Sequence, residues 1–177
     1  RYHDHGGFTL AYTFQGAIQK NPEDLEVQML SRSSSPSELL FGPVQYAGVL
    51  VVLSLYRFMT EEAAILAAAT GIGDAIAPII GASFGRHVYQ MPFASAKTGE
   101  GSLVGVFLGT CSAIYCYLYC LGLPLLPLRI VLAYAGIAAV VEGTSPGSMD
   151  NLVVPLVMHF SMDRVHAVLG NYTTTGD

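Results

Sequence analysis

The sequence predicts an all-α fold, a polytopic transmembrane helical bundle with about four to six spans. Of its 177 residues, 52% are hydrophobic and 12% are charged, whereas a soluble domain has roughly 25% charged residues. The mean hydropathy is +0.49, and several apolar runs are long enough to cross a bilayer. We therefore expect an integral, multi-pass membrane protein.

The chain divides into a polar N-terminal segment at 1–38, a membrane-embedded domain at 39–170 that would carry any catalytic site, and a tail at 171–177. The chain begins with Arg rather than Met, so we expect the first segment to continue a truncated upstream part. Its His3, Asp4 and His5 could bind a metal, but an exposed segment is the favoured interpretation. Arg32, in a Ser-rich loop, would be a linker residue or a phosphate contact.

Five apolar stretches are the predicted spans, at 39–56, 63–85, 103–121, 129–141 and 152–169. The second contains Pro78, and because proline lacks a backbone donor we expect it to kink or break the helix. The fourth is short unless it extends into the proline-containing turn before it. The fifth is either a polar span or a helix that leaves the membrane, because it contains His159, Asp163, Arg164 and His166.

Alternate loops of a multi-span protein lie on the same side of the bilayer. The loops at 86–101 and 142–151 therefore share one side with the Ser-rich loop before the first span. That side holds Arg1, Lys20, Arg32, Arg86 and Lys97, and the other side holds Arg57, Arg129 and Arg164. The excess of basic residues favours the cytoplasmic side, where nucleotides are plentiful.

Charge and cysteine patterns argue against two classes of function. The net charge is −5 and the basic residues form no stripe, so nucleic acid is not an expected partner. Cys111, Cys116 and Cys120 lie in one apolar run, which does not suit a disulfide framework. We favour packing against helices or lipid over a metal or redox role for them.

The stretch from Gly71 to Thr110 contains the first candidate site residues. Asp74 lies among small residues inside an apolar run, and an acid at membrane depth indicates function unless it only packs helices. Lys97 follows in the next loop and supplies a cation, unless it only snorkels to the interface. Ser102 adds a hydroxyl. Together these groups suit a metal-bound polyphosphate.

The loop after the fourth span contains two further acids, Glu142 and Asp150. Mg²⁺ prefers oxygen ligands and usually holds a nucleotide through one or two carboxylates and the phosphates. Asp74, Glu142 and Asp150 are therefore the candidate metal ligands. The alternative for Asp150 is a cap of the last helix.

The order of these motifs resembles that of the CTP-dependent lipid-alcohol kinases, which include phytol, farnesol and dolichol kinases and the CTP-dependent diacylglycerol kinase of fungi. The resemblance runs from about residue 31 to 155. It rests on four stretches of sequence: Glu38-Leu39-Leu40-x-Gly42-Pro43, Gly73-Asp74-Ala75-x-Ala77-x-x-x-Gly81-x-x-x-Gly85, Lys97-Thr98-x-Glu100-Gly101-Ser102, and Glu142-Gly143 followed by Asp150-Asn151-Leu152 and Pro155-Leu156.

The resemblance implies transfer of the terminal phosphate of CTP to the hydroxyl of a membrane alcohol such as phytol, another polyprenol or dolichol, or diacylglycerol, with Mg²⁺ or another divalent metal. Asp74, Glu142 and Asp150 would hold the metal, and one of the last two would be the base. Lys97 would pair with phosphate oxygens. The implied nucleotide-binding residues are Gly73, Gly81, Gly85, Arg86, Lys97, Thr98, Gly101 and Ser102. A plastid or endoplasmic reticulum membrane would suit this chemistry.

Thr98 and Glu100 stand where phytol kinase relatives tend to have tryptophan and alanine, and this chain has no tryptophan. The stretch 97–102 is closer to the dolichol kinase form, whereas the opening of the first span resembles the phytol type. Other function classes are also open. They are a CTP:phosphatidate cytidylyltransferase-like enzyme, a presenilin-like protease suggested by Gly71-Ile72-Gly73-Asp74, and a non-catalytic membrane transporter or scaffold.

Overall fold

The computed structural model describes residues 36–92, 96–146 and 149–170, with only the backbone given for 36–41 and 43. His3, Asp4, His5, Arg32 and the tail at 171–177 lie outside the described residues. Five helices make up the described fold: α1 Pro36–Tyr56, α2 Glu61–Phe84, α3 Gly101–Cys120, α4 Leu128–Thr144 and α5 Asp150–Gly170. The predicted all-α bundle is confirmed.

Three of these helices, α2, α3 and α5, are long and apolar enough to cross a membrane. In α1 the apolar part at Val44–Tyr56 is shorter than a full span. Large apolar side chains on the outside of the bundle are exposed, among them Leu55, Phe84, Leu103, Tyr119 and Phe160. A surface of this kind is stable against lipid rather than water. The architecture is that of a membrane protein, and α5 is one of its candidate spans.

Two helices contain π-helical segments. In α2 the segment Ala68–Gly73 ends immediately before Asp74, and α3 begins with the segment Gly101–Leu108. The helix continues through Pro78 to Phe84, so a break at Pro78 is not observed. The irregular turn lies before Asp74, and π-helical turns of this kind occur frequently at functional sites.

Helices α2 and α3 pack closely because glycines line their contact. A Cβ atom on Gly105 would lie 2.5 Å from Ala77 Cα, and one on Gly73 would lie 2.4 Å from Thr110 Oγ1. At Gly105 the near atoms belong to the backbone, so only glycine allows this approach, whereas at Gly73 the near atom is a side-chain hydroxyl. Such small-residue contacts are the usual way for helices to associate in a membrane, where van der Waals packing replaces the hydrophobic effect.

The core lies between α2, α3, α4 and α5. Ile65, Ile114, Val131, Tyr134 and Met158 come from these four helices and are fully buried. Helix α1 lies at the edge, where Asn151 Nδ2 of α5 donates to the carbonyl oxygen of Gly42 at 3.4 Å. This contact holds the start of α1 beside the start of α5.

The connection between α2 and α3 contains a short hairpin that the sequence did not predict. Strands β1 Val88–Tyr89 and β2 Lys97–Thr98 are antiparallel, with Tyr89 opposite Lys97. The His87 backbone and ring nitrogens lie 3.3 and 2.7 Å from the Glu100 carboxylate oxygens. The hairpin thereby directs Lys97 into the bundle, where its side chain is only 7% exposed.

Candidate active site

Polar residues from five segments meet at one end of the bundle. Asp74 comes from α2, Lys97 from β2, Ser102 from α3, Glu142 from α4 and Asp150 from α5. The loops at 86–101 and 142–151, which the alternation of spans predicts on one side of the bilayer, are in contact through Lys97 and Glu142.

The three predicted metal-ligating acids form one cluster. Asp74, Glu142 and Asp150 each offer a carboxylate oxygen, and these oxygens lie within 4.8 Å of one another. Glu142 is 3% exposed and Asp150 is 6% exposed. A cavity of about 10 Å³, the scale of one small ion or water molecule, lies between them and is also bordered by Thr70 and Asn151. An all-oxygen, carboxylate-rich donor set fits a hard divalent cation.

Lys97 is the cation that the structure places beside this cluster. Its Nζ lies 2.6 Å from Glu142 Oε1 and 3.7 Å from Asp150 Oδ2, and it also donates to the backbone carbonyl of Glu142. The alternative in which Lys97 snorkels to the interface is wrong, because its side chain is buried in an ion pair. The carboxylates outnumber this ammonium three to one, which leaves room for a second cation in the charge balance.

Ser102 and Tyr89 extend the network. Ser102 Oγ donates to Glu142 Oε2 at 3.3 Å and lies 2.7 Å from the Tyr89 hydroxyl. Both Glu142 carboxylate oxygens are thus hydrogen-bonded, one to Lys97 and one to Ser102. Tyr89 is a site residue that no sequence motif indicated, and its one signal in the sequence is its position in the short polar loop that precedes Lys97.

Asp150 is the first residue of α5, and its Oδ1 accepts from the backbone N–H of Asn151 at 3.0 Å. It thus lies at a helix N-terminus, as the capping alternative expected. It also faces Lys97 and the other two acids. A role as helix cap alone therefore does not account for the contacts of Asp150 with Lys97 and the other two acids.

An open cavity of about 190 Å³ adjoins the acids. Among the residues that border it are five of the predicted nucleotide-binding residues, Gly81, Lys97, Thr98, Gly101 and Ser102, together with Glu142. Thr98 Oγ1 accepts from the Gly101 N–H at 3.2 Å and closes one wall. Cβ atoms on Gly81 or Gly101 would lie only 2.6 or 2.8 Å from that oxygen.

The other three predicted nucleotide-binding residues do not border this cavity. Gly73 faces Thr110 at the contact between α2 and α3, and a Cβ atom on Gly85 would lie 2.6 Å from Thr98 Cγ2. Their small size serves helix and loop packing. Arg86 is exposed, outside the cavity. The structure therefore does not place these three at the wall of the cavity, although Gly73 directly precedes Asp74 of the acid cluster.

Glu100 stabilises the loop that carries Lys97. The hydrogen bond from the His87 side chain is the main cause that lowers the pKa of Glu100 from 4.5 to about 2. Backbone N–H groups near Glu100 act in the same direction. Glu100 is therefore ionised at neutral pH, and it holds the hairpin closed rather than taking part in the acid cluster.

Cys116 and Cys120 are exposed, and Cys111 is partly buried, all with free thiols. Within residues 36–92, 96–146 and 149–170, the three acids are the one group of His, Cys, Asp and Glu residues that could hold a metal. Packing against lipid or helices, the favoured interpretation of the cysteines, agrees with these positions.

Comparison with known proteins finds two phytol kinases. The chain is 33% identical over 84 residues to the phytol kinase of Synechocystis sp., which covers 48% of the chain and 36% of that protein. It is 32% identical over 98 residues to a probable phytol kinase 2, chloroplastic, of Oryza sativa subsp. japonica, which covers 55% of the chain and 31% of that protein. No family model matches. No solved structure matches.

The matched part is thus about a third of each relative's length. Within that part, the similarity supports the resemblance to lipid-alcohol kinases found in the motifs.

Proposed function

We propose that this chain contains the phosphoryl-transfer site of a membrane lipid-alcohol kinase that uses CTP and a divalent metal. The observation that carries the proposal is the convergence of Asp74, Glu142 and Asp150 beside Lys97 and a glycine-walled cavity. Phosphoryl transfer requires mainly positioning and charge neutralisation, and these residues supply both. The similarity to two phytol kinases supports a lipid alcohol as acceptor.

Asp74 and Glu142 would hold Mg²⁺ or another divalent cation, and Asp150, the third acid of the cluster, would lie beside it. When bound, the metal would neutralise charge on the phosphates. The protein's own contribution is to position three carboxylates from three helices. Two of these carboxylates, Glu142 and Asp150, are buried. Neighbouring hydrogen bonds orient Glu142, since its two oxygens accept from Lys97 and Ser102.

The nucleotide phosphates would bind in the cavity between Gly81, Thr98 and Gly101. Gly81 and Gly101 border this cavity and pack against Thr98, whose hydroxyl lies close to where their Cβ atoms would be. Lys97 borders the cavity and the acid cluster together, so its ammonium can balance charge on either side. Selection of CTP over ATP is part of the proposal and needs a direct test.

Asp150 is the better candidate for the base that accepts the alcohol proton. Glu142 Oε1 lies 2.6 Å from Lys97 Nζ, whereas the nearer carboxylate oxygen of Asp150 lies 3.7 Å from it. Asp150 lies at the start of α5, and the residues that follow it, Leu152 and Pro155, border an apolar groove. An alcohol whose tail lies along that groove would bring its hydroxyl toward Asp150.

The testing experiment uses the full-length protein in membranes with labelled CTP or ATP and a panel of phytol, farnesol, dolichol and diacylglycerol. Transfer of the terminal phosphate from CTP to one alcohol, lost in Asp74→Asn, is the expected result. Asp163→Asn is a matched control, because Asp163 is an exposed acid of α5.

Three other results would contradict the proposal. In a parallel assay with phosphatidate as acceptor, transfer of the cytidylyl group of CTP would identify a cytidylyltransferase-like enzyme. Absence of transfer to any acceptor would favour a transporter or scaffold. Equal activity in Asp74→Asn and wild type would remove the acid cluster from the mechanism. As for the compartment, we propose a plastid membrane, since the Oryza sativa relative is named chloroplastic.

A further inference from the structure

A second, larger cavity lies between α1, α2 and α5. It is an open groove of about 670 Å³ whose wall is mainly apolar, with Val49, Val52 and Leu53 on one side and Leu66 and Leu156 on the other. Its volume is within the range of small-molecule sites. Neither the acid cluster nor the cavity proposed for the nucleotide includes these side chains.

One end of the groove adjoins the candidate active site. Gln45 and Leu152 border this end, and Leu152 follows Asp150 by two residues. The hydrogen bond from Asn151 to the Gly42 carbonyl joins the two helices beside it. Gln45 borders this end, and its Oε1 is buried with no hydrogen-bond partner among the described residues. A small movement of this side chain would present the oxygen to a hydroxyl.

The other end is bordered by charged side chains. Arg57 Nε lies 2.9 Å from Glu62 Oε2, and His159 Nδ1 contacts Glu62 Oε1. All three border the groove. From Gln45 to Arg57 the chain advances by twelve residues, which corresponds to about 18 Å along a helix. The groove is thus an apolar slot with a polar group at one end and an ion-pair cluster at the other.

We propose that this groove holds the tail of the alcohol substrate and that the Arg57–Glu62–His159 cluster limits the length of that tail. The inference rests on the proposed kinase function. At about 30 Å³ per small group, the volume of a water molecule in the liquid, the groove has room for on the order of twenty heavy atoms. That size fits a short isoprenoid alcohol such as phytol. A long polyprenol such as dolichol would have to displace the cluster or leave the groove.

Gly48 allows a test that does not disturb the fold. It borders the groove, and a Cβ atom there would meet nothing within 4 Å. Gly48→Leu therefore adds a side chain at the groove wall, and its Cβ atom clashes with no neighbour. Gly136→Leu is the matched control, because Gly136 on α4 also has open space around it and lies outside the groove.

The experiment measures label transfer from CTP to phytol and to a short water-soluble prenyl alcohol. It also measures photolabelling by phytol that carries a diazirine at its tail end. In Gly48→Leu we expect at least a tenfold loss of kcat/KM for phytol, little change for the short alcohol, and loss of the photolabel from 49–57. Gly136→Leu should behave as wild type.

A second variant tests the length limit. Arg57 is half exposed, so Arg57→Ala should fold normally and open the far end. We expect a several-fold rise in the rate with dolichol relative to phytol. An unchanged ratio would overturn the length limit.

Other outcomes separate this inference from the kinase proposal. Two results would overturn the groove as the tail site. One is an equal loss of kcat/KM for both alcohols in Gly48→Leu, and the other is unchanged kinetics with the photolabel outside the groove. Another lipid or a helix would then occupy the groove. Tail-end photolabel in the groove without any transfer from CTP would support the groove and contradict the kinase proposal.

Discussion

Lys97 and Glu142, 45 residues apart in sequence, form a buried ion pair in which Nζ and Oε1 are 2.6 Å apart. Their side chains are 7% and 4% exposed. The pair connects the hairpin to the end of α4 and therefore holds the cavity wall against the acid cluster. It is the contact on which both the shape and the charge of the candidate site depend.

Removal of either charge should strongly destabilise the protein. Lys97→Met leaves a buried carboxylate without its ammonium partner, and breaking a buried pair in this way costs about 3–5 kcal/mol of unfolding free energy. The double variant Lys97→Met/Glu142→Gln should recover much of that loss and remain inactive. Unfolding of the two single variants and the double variant in detergent measures the coupling. Additive losses in the double variant would show that the pair is not energetically coupled.

Divalent metal should stabilise the protein in the absence of nucleotide. A cation that binds only the folded state raises its stability by about 2.7 kcal/mol at one hundred times its Kd. We expect Mg²⁺ to raise Tm in wild type and in the control Asp163→Asn. The rise should be lost in Asp74→Asn, and a chelator should reverse it. An equal rise in all three proteins would place the ion away from the acid cluster.

Gly143 should be intolerant of a side chain because of Tyr89. A Cβ atom on Gly143 would lie 2.7 Å from the Tyr89 hydroxyl, whereas its next neighbours are at an ordinary 3.7 Å. Gly143→Ala should therefore lower Tm and activity. Adding Tyr89→Phe should restore Tm, since it removes the clashing oxygen. Tyr89→Phe alone should cost about 0.5–1.5 kcal/mol, the usual contribution of one hydrogen bond. Failure of the double variant to recover would contradict this geometry.

The hairpin should respond to acid through Glu100. Its pKa in the folded protein is about 2, below its usual 4.5, so its stabilising contribution is complete above pH 4.5 and is lost as the pH falls toward 2. Glu100→Gln should lower Tm at neutral pH, and its difference from wild type should shrink across this window. His87→Asn should shift the window toward pH 4.5, because the main cause of the low pKa is gone. A pH-independent difference would exclude this titration.

Most residues of the candidate site could be predicted from the sequence. The three acids and Lys97 stand out because polar groups are costly inside apolar segments, and alternate loops must lie on the same side of a bilayer. These two constraints predict that Asp74, Lys97, Glu142 and Asp150 lie near one another. Of the kink or break expected at Pro78, the break is not observed, because the helix continues to Phe84; the π-helical segment lies before Asp74. The kink stays a prediction.

Other parts depended on contacts that no local pattern contains. The hairpin has only two residues in each strand, too few for a period-two signal. The position of Tyr89 follows from that hairpin. Gly73 and Gly85 are glycine because helices and loops pack closely against them. A glycine in a sequence motif does not reveal whether it serves packing or phosphate binding.

The sequence by itself determined that this protein lies in a membrane, that it is helical, and at which end of the bundle its polar residues meet. It did so because composition, segment length and the alternation of spans are properties of the chain alone. Only the tertiary structure decided that Lys97 pairs with Glu142, that Gly81 and Gly101 border a cavity, and that α1, α2 and α5 enclose a groove. These features depend on the rotation of each helix about its axis, which packing between residues distant in sequence sets.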